Sequence, residues 1–239
     1  MNGLELARGF YHEHIAPILK AAAGDSFPAV PYSAALIGPG SEVLGYDDET
    51  SRDHHWGPRC MLFLTPSDAA AYGPAITDIL AHNLPHSYAG FPTNFTPPDP
   101  ADAGTQQLEP MHTGPVNHRV EICPIDSWFQ DYLGTGARIA DDEGQDEQTS
   151  EAAAPATGLQ LPMDELDWLT IPSQKLLSIV SGEVFHDGLG LQALRGDLSF
   201  YPDDVRRYML ASLWTRLAQE EHLTGRAGQA GDETGSHII

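Results

Sequence analysis

Between residues 40 and 59 the chain reads GSEVLGYDDETSRDHHWGPR. Gly40 and Ser41 are followed, after eleven intervening residues, by Asp53, His54 and His55, with Arg52 and Arg59 on either side. Further on, Glu121 stands between Val120 and Ile122. Side chains alternate along an extended chain, so Asp53 and His55 share one face and His54 takes the other. A carboxylate is a hard oxygen ligand of the kind Mg²⁺ selects, whereas an imidazole suits metals such as Mn²⁺ or Zn²⁺. The planar forks of Arg52 and Arg59 match phosphate oxygens, and match the many neighbouring acids equally well. A charge such as Glu121 in an apolar run is paired or functional, unless its strand face is solvated. Gly40 tolerates positive φ, so Ser41 either contacts a ligand or merely caps the turn.

The elements that must position these residues can be read from periodicity. Asn2 with Glu5 three residues on opens a helix, and Leu4, Ala7, Tyr11, Ile15 and Ile18 continue it toward Gly24 with a kink at Pro17. YSAALIG (32–38) and RCMLFLT (59–65) are buried-strand patterns, and HRVEICPI (118–125) is a third. A helix capped at Ser67 runs to Asn83, interrupted at Gly73-Pro74. Seven prolines between Pro85 and Pro115 predict a long loop or lobe. Asp126 caps a short helix ending near Gly134. MDELDWLT, SQKLLSIVSG and a helix from Pro202 to about Thr224 follow, the last with Asp203 and Asp204 at its positive end. Residues 141–158, DDEGQDEQTSEAAAPATG, form an acidic, low-complexity linker or insertion.

Composition removes several function classes. The chain has 239 residues, with 12 Lys+Arg against 34 Asp+Glu and a net charge of −22. Lys20 and Lys175 are its two lysines. Nucleic acid is held by cationic surface, so a long nucleic acid is not an expected partner. No signal peptide and no membrane-spanning run is evident, which predicts a soluble cytoplasmic protein and no membrane partner. Cys60 and Cys123 are too far apart for a CxxC metal site and sit in apolar runs. GPGSEVLG fails as a nucleophile elbow because Pro39 stands where the first glycine is required. GLGLQA (188–193) matches a dinucleotide fingerprint only as a bare pattern, after VFHD. His12 and His14 point to different sides of a helix.

The spacing of Gly40, Ser41, Asp53 and Glu121 resembles the nucleotidyltransferase superfamily with the polymerase-beta fold. More closely, SRDHHWGPR, HRVE, LDWLT, PSQ, FHDGLG, YPDD, QEEH and GRAG resemble, in order, the family called domain of unknown function 4037. That resemblance spans most of the chain outside the acidic insertion. The superfamily resemblance implies that Gly40 and Ser41 hold a triphosphate, beside which Arg52 and Arg59 either clamp phosphates or pair with local acids. It also implies that Asp53, position 55 and Glu121 bind divalent metal, Mg²⁺ or Mn²⁺. Carboxylates at 53 and 55 would bridge a metal pair. Here His55 replaces the second acid. Three explanations follow: a metal that accepts imidazole, a nearby acid (Asp47, Asp48 or Glu49) swinging in, or a fold kept without turnover.

The expected fold class is α+β, a small mixed sheet of nucleotidyltransferase type with a helical C-terminal part. Residues 1–140 form the α/β domain, 141–158 the acidic stretch, and 159–239 the helical part, which ends on SHII like an element cut short. The expected function is metal-dependent transfer of a nucleoside monophosphate from an NTP to a small-molecule acceptor. An acidic lobe would suit a cationic acceptor. The alternative is a catalytically degenerate nucleotide-binding or regulatory protein. A single-metal hydrolase built on Asp53, His54 and His55 would need a bulge that turns His54 onto the face of Asp53.

Overall fold

The computed structural model describes residues 1–24, 26–47, 56–102, 104–135, 161 and 163–223. Arg52, Asp53, His54, His55, the acidic run 141–158 and the SHII end therefore lie outside the described residues.

Helix α1 (Gly3–Phe10) opens on a reciprocal cap: Asn2 Oδ1 accepts from the Glu5 amide at 2.8 Å, and Glu5 Oε2 accepts from the Asn2 amide at 3.2 Å. The helix does not run straight to Gly24. It widens into a π turn at Tyr11–Ile15 and resumes as α2 (Ala16–Ala22). Pro17 has no N–H for the Glu13 carbonyl, and its ring would crowd that oxygen, so a wider turn relieves the conflict.

Strand β1 (Ser33–Leu36) and strand β2 (Arg59–Leu64) are buried at every position, as continuous apolar runs with both faces covered should be. Helix α3 (Pro66–Asn83) leaves β2, capped by Thr65, whose hydroxyl accepts from the Asp68 amide at 3.2 Å. It passes through Gly73-Pro74 without a break; Pro74 and Ala70, whose carbonyl loses its partner, are both exposed. The proline-rich lobe contains a small hairpin, β3 (Ser87–Tyr88) and β4 (Phe91–Pro92), turned by Ala89 and Gly90 at φ 48° and 87°. Strand β5 (Arg119–Pro124) then feeds α4 (Ile125–Leu133), which stops at Gly134 with φ 82°. The remaining elements are α5 (Glu165–Thr170), α6 (Ser173–Ser181), β6 (Glu183–Asp187), α7 (Leu191–Asp197) and α8 (Asp203–Leu223).

The main sheet is mixed, in the order β5-β2-β1-β6. β1 is antiparallel to β2 and to β6, while β2 and β5 run parallel with Arg59 opposite Arg119 and Met61 opposite Glu121. Alternation divides the faces. Cys60, Leu62, Leu64 and Val120 pack with Phe10, Ile15, Leu19, Ile76 and Leu80 from the helices on one side. On the other side Phe63 meets the edge of Trp128 at 5.3 Å and lies 6.1 Å from Phe129. Phe63 and Phe129 are fully buried, and each contributes about 1.5–3 kcal/mol. Arg59, Met61, Arg119 and Glu121 belong to this second face.

The α+β class and the small mixed sheet are as expected. The chain forms two compact units, one of Met1–Pro162 with Ile171–Ser199 and one of Met163–Thr170 with Phe200–Ile239. The sheet thus takes its fourth strand, β6, from the part expected to be helical. Within the second unit α5 packs on α8, and Trp168 meets Tyr201 edge-on at 5.5 Å. Among the described residues no helix is long and apolar enough to cross a membrane.

Candidate functional site

The Gly40–Ser41 turn sits where β1 ends, over the start of β2. β1 runs out through Ile37 and Gly38 into Pro39-Gly40, and a 3₁₀ turn covers Ser41–Leu44. Gly40 has φ 139°, outside the range L side chains accept, and a Cβ there would run into the Arg59 guanidinium and the Glu42 carboxylate. Glycine is therefore required twice over, by conformation and by space.

Beneath the turn lies a buried ion pair. Arg59 Nε donates to Glu42 Oε1 at 2.6 Å, with the two side chains 7% and 3% exposed. Arg59 Nη2 donates to the Pro39 carbonyl at 2.7 Å. One guanidinium thus ties the first residue of β2 to both sides of the turn. The turn is also braced from α1. The Gly3 amide donates to Asp47 Oδ2 at 2.6 Å, and Trp56 Nε1 donates to the same oxygen at 3.2 Å. Gly3 approaches both Glu42 and Trp56 so closely that a Cβ would lie 2.8 Å from Glu42 Cγ and 2.9 Å from Trp56 Nε1. Asp47, one of the acids expected to swing toward position 55, is engaged in this brace.

Above the turn is a cavity of about 380 Å³. Gly40, Ser41 and Tyr46 line one side, and Tyr132, Gln174 and Lys175 line the other. Helix α6 places Lys175: Ser178 Oγ meets the Tyr132 hydroxyl at 2.7 Å, and the Gly38 amide donates to the Ser178 carbonyl at 3.1 Å. Lys175 Nζ donates to the Tyr132 carbonyl and lies 5.4 Å from the Tyr132 ring centre. Arg195 from α7 fixes the far end of α6, donating to the carbonyls of Ile179 at 2.9 Å and Val180 at 2.8 Å and also to that of Gly182. Burial lowers the Arg195 pKa from its usual value, with Glu183 opposing the shift. Trp128 stacks on Tyr132 at 5.1 Å and packs under Gly38, so it is a structural support rather than an open platform.

Glu121 stands on the same sheet face as Arg59. Its Oε1 accepts from Arg119 Nη2 at 2.7 Å, and its side chain is 43% exposed. Among the described residues no three His, Cys, Asp or Glu side chains gather as a metal site. Of the expected donors, Glu121 is described and Asp53 and His55 are not. Of the expected nucleotide contacts, Gly40 and Ser41 border the cavity, Arg59 lies under it, and Arg52 is outside the described residues.

Two partners were not anticipated from sequence. The sequence alone singles out neither Glu42 nor Lys175 as a site residue. A signal existed for the second: one of two lysines in a chain of net charge −22 is a rare cation wherever it is placed.

The glycine pattern at 188–193 proves self-occupied. A strand, β6, does precede it, and α7 follows. Asp187 Oδ1 accepts from the Leu191 amide and from Ser33 Oγ, each at 2.8 Å, and Oδ2 accepts from the Gln192 amide at 2.9 Å. The chain's own carboxylate fills the position a phosphate would need.

No curated protein matches the chain, and no solved structure does so either. Residues 168–239, the stretch carrying Lys175, β6 and Asp187, match the model of a family described as a domain of unknown function (DUF4037).

Proposed function

We propose that the chain is a nucleotidyltransferase-like protein that transfers a nucleoside monophosphate from an NTP to a small-molecule acceptor. The observation that carries this reading is the cavity over the Gly40–Ser41 turn, where an acidic chain supplies Lys175 and commits the carboxylate beneath the turn, Glu42, to Arg59. Such a cleft favours an anionic ligand of triphosphate character. Lys175 contributes charge and Ser41 a hydroxyl. Arg59 acts as a positioning residue, since its guanidinium holds the turn. Glu121, with Asp53 and His55, would hold a divalent metal, Mg²⁺ or Mn²⁺. The Glu121 carboxylate is a hard-oxygen donor and is nearly half exposed, which suits those ions. The metal would neutralise phosphate charge as the acceptor hydroxyl or amine replaces pyrophosphate.

Two observations favour the second reading, a degenerate nucleotide-binding or regulatory protein: Glu121 is ion-paired to Arg119, and position 55 is histidine. The two readings separate in one assay. NTP binding and pyrophosphate release are measured with Mg²⁺ and with Mn²⁺ on the native chain, His55→Asp and Lys175→Met. Release by the native chain, with NTP affinity weakened by Lys175→Met, supports transfer. Binding without release, restored by His55→Asp, supports the degenerate form. Absence of NTP binding in every form overturns both.

A further inference from the structure

The strongest unassigned feature lies on the opposite sheet face from the Gly40–Ser41 turn. A cavity of about 470 Å³ opens between α2, the segment Phe27–Tyr32 and the sheet. Leu62 and Leu64 of β2 and Phe185 of β6 form its floor, and Leu19, Phe27 and Val30 form its walls. Tyr11 and Tyr32, whose hydroxyls meet at 2.9 Å, are also part of the lining. Burial raises the pKa of both, so they remain neutral. A volume of this size falls in the range that takes small organic ligands.

Apart from the Tyr11–Tyr32 pair, the polar side chains at this cavity are basic residues. Lys20, His12 and His186 are exposed lining residues, and among the described residues no acidic side chain lines the cavity. In a chain with 34 acids and two lysines, that asymmetry defines the ligand's polar end. Lys20 has no ion-pair partner among the described residues. Glu13, the nearest acid in sequence to His12, accepts instead from the Tyr88 hydroxyl at 3.0 Å.

We infer that this cavity binds an amphipathic monocarboxylate with a flexible hydrocarbon tail, the tail on the leucine floor and the carboxylate at Lys20. The inference is independent of the nucleotide reading, since no residue of the Gly40–Ser41 cavity takes part.

Decanoate is the probe, titrated calorimetrically into the full chain below its micelle concentration, with decanol as the uncharged control. Saturable one-to-one decanoate binding is expected. Lys20→Gln should weaken it about threefold to fivefold, as for one exposed charge contact, and leave decanol unchanged. Ala16→Phe or Val30→Phe, whichever keeps a native melting transition, should abolish binding of both by filling the cavity. The proposal is overturned by no saturable binding. It is equally overturned by decanol binding as tightly as decanoate, or by binding that survives cavity filling.

Discussion

Replacing Arg59 tests the central structural argument. Arg59 and Glu42 are almost fully withdrawn from water, 2.6 Å apart. Arg59→Met would leave the Glu42 carboxylate buried without a counter-charge and the Pro39 carbonyl without its donor. Breaking one side of such a pair costs about 3–5 kcal/mol. For a unit of this size, about 2–4 °C of melting temperature is lost per kcal/mol, giving a fall of roughly 6–20 °C. Glu42→Leu alone strands the guanidinium and should cost a similar amount. The double replacement removes both charges and should lose far less than the sum, because apolar side chains of comparable volume then fill the site. Urea unfolding of the four proteins, analysed as a double-mutant cycle, yields the coupling directly. A loss below about 1 kcal/mol in Arg59→Met would mean the pair behaves as a surface contact, and the reasoning would fail. It would fail too if the two single losses simply added in the double variant.

Three other outcomes are expected. Gly40→Ala should destabilise by about 1–3 kcal/mol through its backbone conformation alone, read as a shift in urea midpoint, with further loss from contact with Arg59. His118 donates from Nε2 to the Thr77 carbonyl at 3.1 Å and accepts the Val120 amide at Nδ1, and burial lowers its pKa from 6.5. Its folded pKa lies below the unfolded value, so its contribution is complete above about 6.5 and is lost as pH falls through the folded pKa. The fall in urea midpoint over that window should be smaller in His118→Gln. The Asp187 carboxylate is partly buried, which acts to raise its pKa. The Gln192, Leu191 and Gly190 amides and the Ser33 hydroxyl outweigh this, leaving the pKa below 3.8. Its stabilisation is present above about 3.8 and is lost as pH falls through the folded pKa. Asp187→Ala should cost about 1 kcal/mol at neutral pH and flatten the acid limb of the unfolding profile.

The strands and helices legible in the sequence are those whose own pattern suffices. β1 and β2 are legible because strands covered on both faces allow little but apolar residues. β5 is legible because Val120, Ile122 and Cys123 stand out between charged and polar neighbours, although the strand is only partly buried. The Asn2–Glu5 cap is a local bargain between neighbours. β6 was missed because Glu-Val-Phe-His-Asp is short and half-exposed, and only its pairing with β1 makes it a strand. The π turn arises where Pro17 falls within a helical pattern that otherwise continues, so periodicity alone gives a kink and not its form. At the site, the Gly40–Ser41 turn could be named from residue types. Glu42 as its buried partner and Lys175 as its neighbour could not, since one depends on burial and the other on α6 docking 135 residues further along the chain.

The late arrival of β6 has a consequence for synthesis. Until Glu183–Asp187 emerges, β1 presents an open hydrogen-bonding edge to whatever chain is nearest. A nascent protein stalled before that point, or a fragment trimmed near residue 140, would keep three strands and expose the fourth strand's place. Self-association through that vacant edge is the expected fate of such pieces, so a useful expression boundary for the first unit lies beyond α7 and not at the acidic run.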